Sequence, residues 1–182
     1  MTRTVSPAGR AALMAREGCR LSAYRDSVGV PTIGVGHTGR AAPPAVEMGM
    51  TITRTEADSI FAVDLAPFET AVSAAVPASL TQNQFDACVS LAFNIGARGF
   101  AGSTVVHKLA AGDRAGAADA FLMWNRPPEL AGRRRAERAQ FLTPDGAPDS
   151  PMRPALAGPH LLPRPRAGLL ARLVAALTRK AA

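Results

Sequence analysis

The chain has 182 residues, is 47% hydrophobic and 19% charged, and carries a formal net charge of +7. This length allows one domain with a real core and an appendage, and the apolar content excludes a disordered chain. No apolar run approaches the roughly 20 residues of a membrane span, the opening Met1 to Pro7 lacks the apolar stretch of a signal peptide, and the positive balance favours an anionic partner.

Ser6 followed by Pro7 predicts a helix start, with Ser as N-cap and Pro at the first helical position. This helix should run to Glu17 and end at Gly18, with Ala11, Leu13 and Met14 facing the core. Residues 20–38 predict a small antiparallel sheet with turns at Asp26-Ser27 and Gly29, and residues 40–50 a loop. Thr53 and Glu56 form a capping box, and Ala57, Ile60, Phe61, Asp64 and Leu65 then recur at helical spacing. Pro67 is expected to bend or split this helix near Ala66, with a continuation from Phe68 to Val76. Thr81 and Gln84 make a second capping box, opening a helix through Phe85, Cys88, Val89, Ala92 and Phe93 that is apolar on most sides and therefore central. Gly96 stops it. Ser103 and Asp113 are N-caps for two short helices, the second carrying Ala117, Ala120, Phe121 and Trp124. After the break at Pro127-Pro128, Leu130 to Leu142 reads as a final basic helix. Its cluster of Arg133, Arg134, Arg135 and Arg138 reads first as a solvated face.

Beyond Thr143 the composition changes. Seven of the fifteen prolines fall within 144–165, which reads as an extended linker. Residues 166–180 regain a helical pattern, with Leu169, Leu170, Leu173, Val174 and Leu177 in one stripe and Arg166, Arg172, Arg179 and Lys180 mostly off it. The expected organisation is a domain over 1–143, a linker over 144–165 and a basic amphipathic helix over 166–182. Residues 166–180 are a candidate contact for an anionic membrane or outer envelope; packing on the preceding domain or disorder are the alternatives, since a short, Ala-rich helix is marginal in water. Cys19 and Cys88 are expected to be reduced, buried, small apolar residues, and the Cys and His spacings predict no metal site.

The chemistry concentrates in residues 17–39. Glu17 at a helix end, Asp26 in a polar turn and Thr32 at the start of a Gly-rich alternation bring two carboxylates and a hydroxyl to neighbouring ends of a helix and a hairpin. Hydrolysis of a glycosidic bond needs two carboxyl groups, one protonated and one ionised. A general acid must hold its proton at neutral pH, which burial beside apolar groups favours. A helix ending in Glu-Gly before a Gly-rich hairpin also occurs in folds without catalysis, and Thr32 alone suits a strand by propensity. His37 could pair with Asp64 on the following helix, tying the hairpin to it.

Eight residues separate Glu17 from Asp26 and five separate Asp26 from Thr32, and the run Thr-Ile-Gly-Val-Gly-His-Thr begins at Thr32. This pattern resembles the signature of the phage-type lysozymes, or endolysins, of glycoside hydrolase family 24. The segments from Ile52 to Ala57, from Ala92 to Gly96 and from Arg133 to Glu137 resemble later parts of that family in the right order, so the likeness covers roughly residues 6 to 143. It implies a mostly helical α+β fold of two lobes, with a small antiparallel sheet in the N-terminal lobe and a helical C-terminal lobe. It implies hydrolysis of the β-1,4 bond between N-acetylmuramic acid and N-acetylglucosamine of peptidoglycan, without metal or cofactor. Glu17 would be the proton donor, while Asp26 and Thr32 would hold the attacking water. Phe93 and Asn94 match positions lining the saccharide cleft, although Phe93 reads equally as core. Water held between the two sides implies inversion, with carboxyl groups about 6.5–9.5 Å apart rather than about 5–5.5 Å. The expected protein is a monomer that waits in the host cytoplasm for a holin-type pore before reaching the wall. A lytic transglycosylase is the first rival, and Asp26 with Thr32 argues against it. A silent basic wall- or nucleic-acid-binding module is the second. The complete Glu17, Asp26 and Thr32 set argues against that, as does a 5% aromatic content with no nucleic-acid-binding motif.

Overall fold

The computed structural model describes residues 3–40 and 42–145. The predicted tail helix, and all of the predicted linker except Pro144 and Asp145, lie outside the described residues.

The first helix, α1, spans Pro7–Glu17, with the Ser6 side chain accepting from the Gly9 backbone N–H. Gly9, Leu13 and Met14 are its buried residues. Ala11 is exposed, contrary to expectation, because Gly9 and Leu13 lie one turn apart on the inner face while Ala11 points the other way. The strands β1 (Arg20–Arg25) and β2 (Pro31–Gly34) form a two-stranded antiparallel sheet, with Tyr24 opposite Thr32 and Arg25 opposite Pro31. Residues 50–52 line the other edge of β1: the Ala23 N–H donates to the Met50 carbonyl and the Ile52 N–H to the Leu21 carbonyl, each at 2.9 Å.

Helix α2 (Arg54–Ala75) starts in the Thr53–Glu56 capping box and runs unbroken through Pro67, so the expected split is absent. Proline removes one helical hydrogen bond, freeing the carbonyl four residues earlier. Pro67 and Val63 are both exposed, so water can satisfy that carbonyl. Helix α3 (Gln82–Ile95) begins in the Thr81–Gln84 box and is buried at every position from Phe85 to Phe93. It forms the axis of the helical body, packing against α1 and α2. Helix α4 (Ala97–Ala101), which the sequence reading did not separate, follows Gly96 directly. Helices α5 (Thr104–Ala110) and α6 (Arg114–Ala120) start at Ser103 and Asp113, whose side chains accept from Val106 N and Gly116 N. The expected continuation to Trp124 is a 3-10 turn, Phe121–Met123. After a second 3-10 turn, Pro128–Leu130, helix α7 (Ala131–Leu142) returns across α3.

The apolar core runs from Val5 and Leu13 through Phe61, Leu65 and Val72 to Phe100, Phe121 and Phe141. The Phe61 and Phe68 rings meet Phe93 edge-on at 5.5 and 5.2 Å between centroids, a geometry that adds about 0.5–1.5 kcal/mol per pair beyond burial. The start of α3 also gathers both ends of the described chain. Asp86 accepts from the Ser6 N–H and hydroxyl, and Asp145 accepts from the Gln82 and Asn83 N–H groups. Carboxylates suit a helix N-terminus, where N–H groups lack helical partners.

Candidate active site

Glu17 is the last residue of α1. Gly18 leaves the helix at φ +80°, ψ 152°, a conformation open to glycine and strained for other residues. The chain therefore turns at once into β1, and Glu17 stands at the junction of helix and sheet.

The hairpin is built around Val30. Asp26 Oδ1 accepts from the Val28 N–H at 2.9 Å and the Val30 N–H at 2.8 Å. The Asp26 N–H donates to the Val30 carbonyl at 3.0 Å, and the Thr32 hydroxyl donates to the same carbonyl at 3.0 Å. Thr32 is 3% exposed. With its proton committed to Val30, Thr32 Oγ1 presents only acceptor lone pairs. Asp26 is half-buried rather than fully wet. Its Oδ2 is buried and has no hydrogen-bond partner among the described residues, although buried polar atoms normally have one. The hairpin thus offers two acceptors, suited to a water that donates both protons and keeps a lone pair for attack.

The Glu17 carboxylate accepts from Arg133 Nη1 of α7. Its side chain is 26% exposed, so a guanidinium partner takes the place of the apolar surroundings expected from sequence. Arg133 is fixed in turn. Its Nε donates to Glu137 Oε1 at 3.0 Å and its Nη2 to the Ser90 carbonyl at 3.2 Å. Glu137 Oε1 also accepts from the Ser90 hydroxyl at 2.6 Å and Arg134 Nη2 at 3.3 Å. Arg134 Nε lies 3.0 Å from Glu137 Oε2, yet the two are misaligned for a hydrogen bond, so this contact is ionic rather than directed. Arg134 and Glu137 are both fully buried. Burial lowers the Arg134 guanidinium to about 10, against the opposing charge of Glu137, and it remains charged at neutral pH. The arginine cluster is therefore not a solvated face: Arg133 and Arg134 enter the protein, Arg138 pairs with Asp119, and Arg135 is exposed. The run of arginines carried no sign of this, because its apolar positions are few.

Asn94 is half-buried at the end of α3, and its Oδ1 accepts from Arg134 Nη2 at 3.0 Å. The amide is thereby oriented with its NH2 group as the free donor. Phe93 is 4% exposed and packs against Phe61 and Phe68, so its ring belongs to the core and offers almost no surface to a saccharide.

His37 is 4% exposed. Its Nδ1 lies 3.0 Å from both carboxylate oxygens of Asp64, and its Nε2 lies 2.9 Å from the Pro44 carbonyl. Both partners are acceptors, so the geometry calls for a proton on each ring nitrogen. Burial acts to lower the His37 pKa, but the hydrogen bonds to Asp64 and Pro44 and the Asp64 charge outweigh it, and the net direction is upward. The imidazolium joins the hairpin, the 40s loop and α2. Cys19 and Cys88 are both free thiols; Cys88 is buried, whereas Cys19, at the turn from α1 into the sheet, is only half-buried, contrary to expectation, and burial pushes the Cys88 thiol pKa upward. Among the described residues no group of three or more His, Cys, Asp or Glu could hold a metal ion. No helix among them is long and apolar enough to cross a membrane.

A helical body with a small two-stranded sheet, bearing a carboxyl group at a helix end and a carboxylate with a hydroxyl on the adjoining hairpin, is the frame of a lysozyme-like glycoside hydrolase. Residues 14–137 match the family model for phage lysozyme. The chain is 48% identical over 143 residues to the endolysin of Salmonella phage P22, an alignment covering 76% of this chain and 98% of that protein. The crystal structure of a P22 lysozyme mutant superposes with a TM-score of 0.73 at 48% identity, covering 78% of this chain and 99% of that one. The muramidase domain of SpmX from Asticaccaulis excentricus superposes with a TM-score of 0.68 at 36% identity, covering 78% and 99%. The chain belongs to the phage lysozyme family. It is a glycoside hydrolase of the endolysin type.

Proposed function

We propose that this muramidase cleaves the β-1,4 bond between N-acetylmuramic acid and N-acetylglucosamine by a single inverting displacement, with Glu17 as general acid and Asp26 and Thr32 as holders of the nucleophilic water. The observation that carries this reading is the buried, unpartnered Asp26 Oδ2 on the same hairpin as Thr32 Oγ1, whose proton is committed to the Val30 carbonyl while Asp26 Oδ1 accepts from the Val30 N–H. A water bound there donates one proton to each oxygen. As C1 of the muramic acid loses the leaving oxygen, Glu17 transfers its proton to that oxygen, the water forms the new bond to C1 from the opposite face, and Asp26 takes the proton the water gives up. Arg133 holds one Glu17 oxygen, which leaves the other to pass the proton to the leaving oxygen. Such positioned proton transfer contributes about 10²–10⁴-fold in rate. The free NH2 of Asn94 supplies a donor for an acetamido carbonyl or ring hydroxyl of the sugar.

The substrate chemistry agrees with the charge, since a net +7 chain is attracted to an anionic envelope polymer. In the same reading the enzyme works as a monomer and reaches the periplasmic wall from the cytoplasm through a holin-type pore. Residues 166–180 contact anionic lipid or outer envelope, joined to the 1–143 domain by the 144–165 linker.

The test is digestion of purified peptidoglycan by wild type and Glu17→Gln, with the products read by mass spectrometry. Reducing muramic-acid ends from wild type alone are expected. Anhydro ends would assign a transglycosylase instead. No released product from folded wild type would overturn the enzymatic reading.

A further inference from the structure

We infer that Glu137 is a positioning residue for this hydrolase: one buried carboxylate aims Arg133 at Glu17 and Arg134 at Asn94. The inference rests on the reading of Glu17 as the general acid.

Glu137 stands on α7 four residues after Arg133 and three after Arg134, spacings that bring both arginines to its face of the helix. It is 0% exposed. Its Oε1 collects Arg133 Nε at 3.0 Å, the Ser90 hydroxyl at 2.6 Å and Arg134 Nη2 at 3.3 Å. The remaining nitrogens of Arg133 are spoken for by Ser90 and Glu17, so the guanidinium is pinned by α7, α3 and α1 together. A planar guanidinium anchored through Nε has its two outer nitrogens fixed in direction. With Nε released, Arg133 would keep only the bonds of its outer nitrogens to Ser90 and Glu17 and could tilt about its long stem, carrying the Glu17 oxygen with it. Arg134 repeats the arrangement toward the substrate side: held at Glu137, it reaches Asn94 Oδ1 at 3.0 Å and sets which way that amide faces. Arg16 joins the same hub, donating to the Ser90 hydroxyl at 3.1 Å.

A purely structural buried ion pair explains Arg134 with Glu137. It does not explain why the two arginines sharing that carboxylate end on Glu17 and on Asn94. Arg133 shares its positive charge between two carboxylates, Glu137 and Glu17.

The experiment compares wild type with Glu137→Gln and with the neutral double variant Arg134→Met/Glu137→Leu, on soluble peptidoglycan fragments, as kcat and KM. Replacing both members of a buried ion pair by apolar residues of similar volume preserves folding where a single replacement can fail, so the double variant decides if Glu137→Gln does not fold. The expected result is a fall in kcat of about 10–100-fold, the scale of a misaligned catalytic group. It is accompanied by a rise in KM as Asn94 loses its orientation. A double variant that melts cooperatively and keeps the wild-type kcat and KM would overturn the inference. Wild type that releases no reducing ends would instead overturn the muramidase reading, whatever the variants do.

Discussion

Asp26 and Thr32 are fastened to the same residue: Asp26 accepts from the Val30 N–H at 2.8 Å, and Thr32 donates to the Val30 carbonyl at 3.0 Å. The turn thus sets the two side chains as a unit. Neither depends on a long, flexible side chain for its placement.

The Thr32 hydroxyl can be removed at almost constant shape. Thr32→Val is expected to lower kcat about 100-fold, the scale of a misplaced reacting group. Thr32→Ser should retain most of the activity, because it keeps the hydroxyl and its bond to Val30. Reducing-end assays on peptidoglycan, with thermal melts to verify folding, check both. A Thr32→Val variant that kept wild-type activity would assign Thr32 to packing.

The His37–Asp64 pair makes stability depend on pH, with a definite sign. The folded-state pKa of His37 lies above its ordinary 6.5. A raised value means that folding favours the protonated ring, so the contribution is fully present below about pH 6.5 and is lost as pH rises through the folded-state value. Asp64→Asn should therefore destabilise the protein by about 1–3 kcal/mol at pH 5.5, the scale of a hydrogen bond to a charged group. The difference from wild type should narrow as pH rises past the folded-state value. Urea unfolding of both proteins at pH 5.5 and at several alkaline values reads this directly. A penalty that grew with pH would contradict the assignment.

Pro67 interrupts the α2 hydrogen-bond ladder on an exposed face. Pro67→Ala restores that bond with no core contact to lose, and should stabilise the domain by about 1–3 kcal/mol, up to the full difference between the two residues inside a helix. The readout is a higher denaturant midpoint with unchanged slope.

Helix starts were legible wherever a short polar side chain could cap locally, as at Ser6, Thr53, Thr81, Ser103 and Asp113, because a cap needs only residues three positions apart. The order of elements and the Glu17, Asp26 and Thr32 spacing were equally local. The burial of Arg134 and Glu137 was not, since it depends on α3 covering α7 across some 40 residues of chain. Pro67 was misjudged because its cost depends on which side of α2 meets water. Phe93 illustrates a different limit: an aromatic ring reads alike in a core and in a sugar cleft, and only its contacts with Phe61 and Phe68 decide. The Glu17–Arg133 contact joins residues 116 positions apart, a relationship no local pattern encodes.

The most direct test of the Glu17, Asp26 and Thr32 assignment is the anomeric form of the first product. Proton NMR recorded during the opening minutes of digestion of a soluble peptidoglycan fragment, before mutarotation, distinguishes the two stereochemical outcomes. Direct attack by the water held at Asp26 and Thr32 predicts that the new muramic-acid reducing end appears first as the α-anomer. The β-anomer appearing first would require a covalent intermediate and would contradict the account.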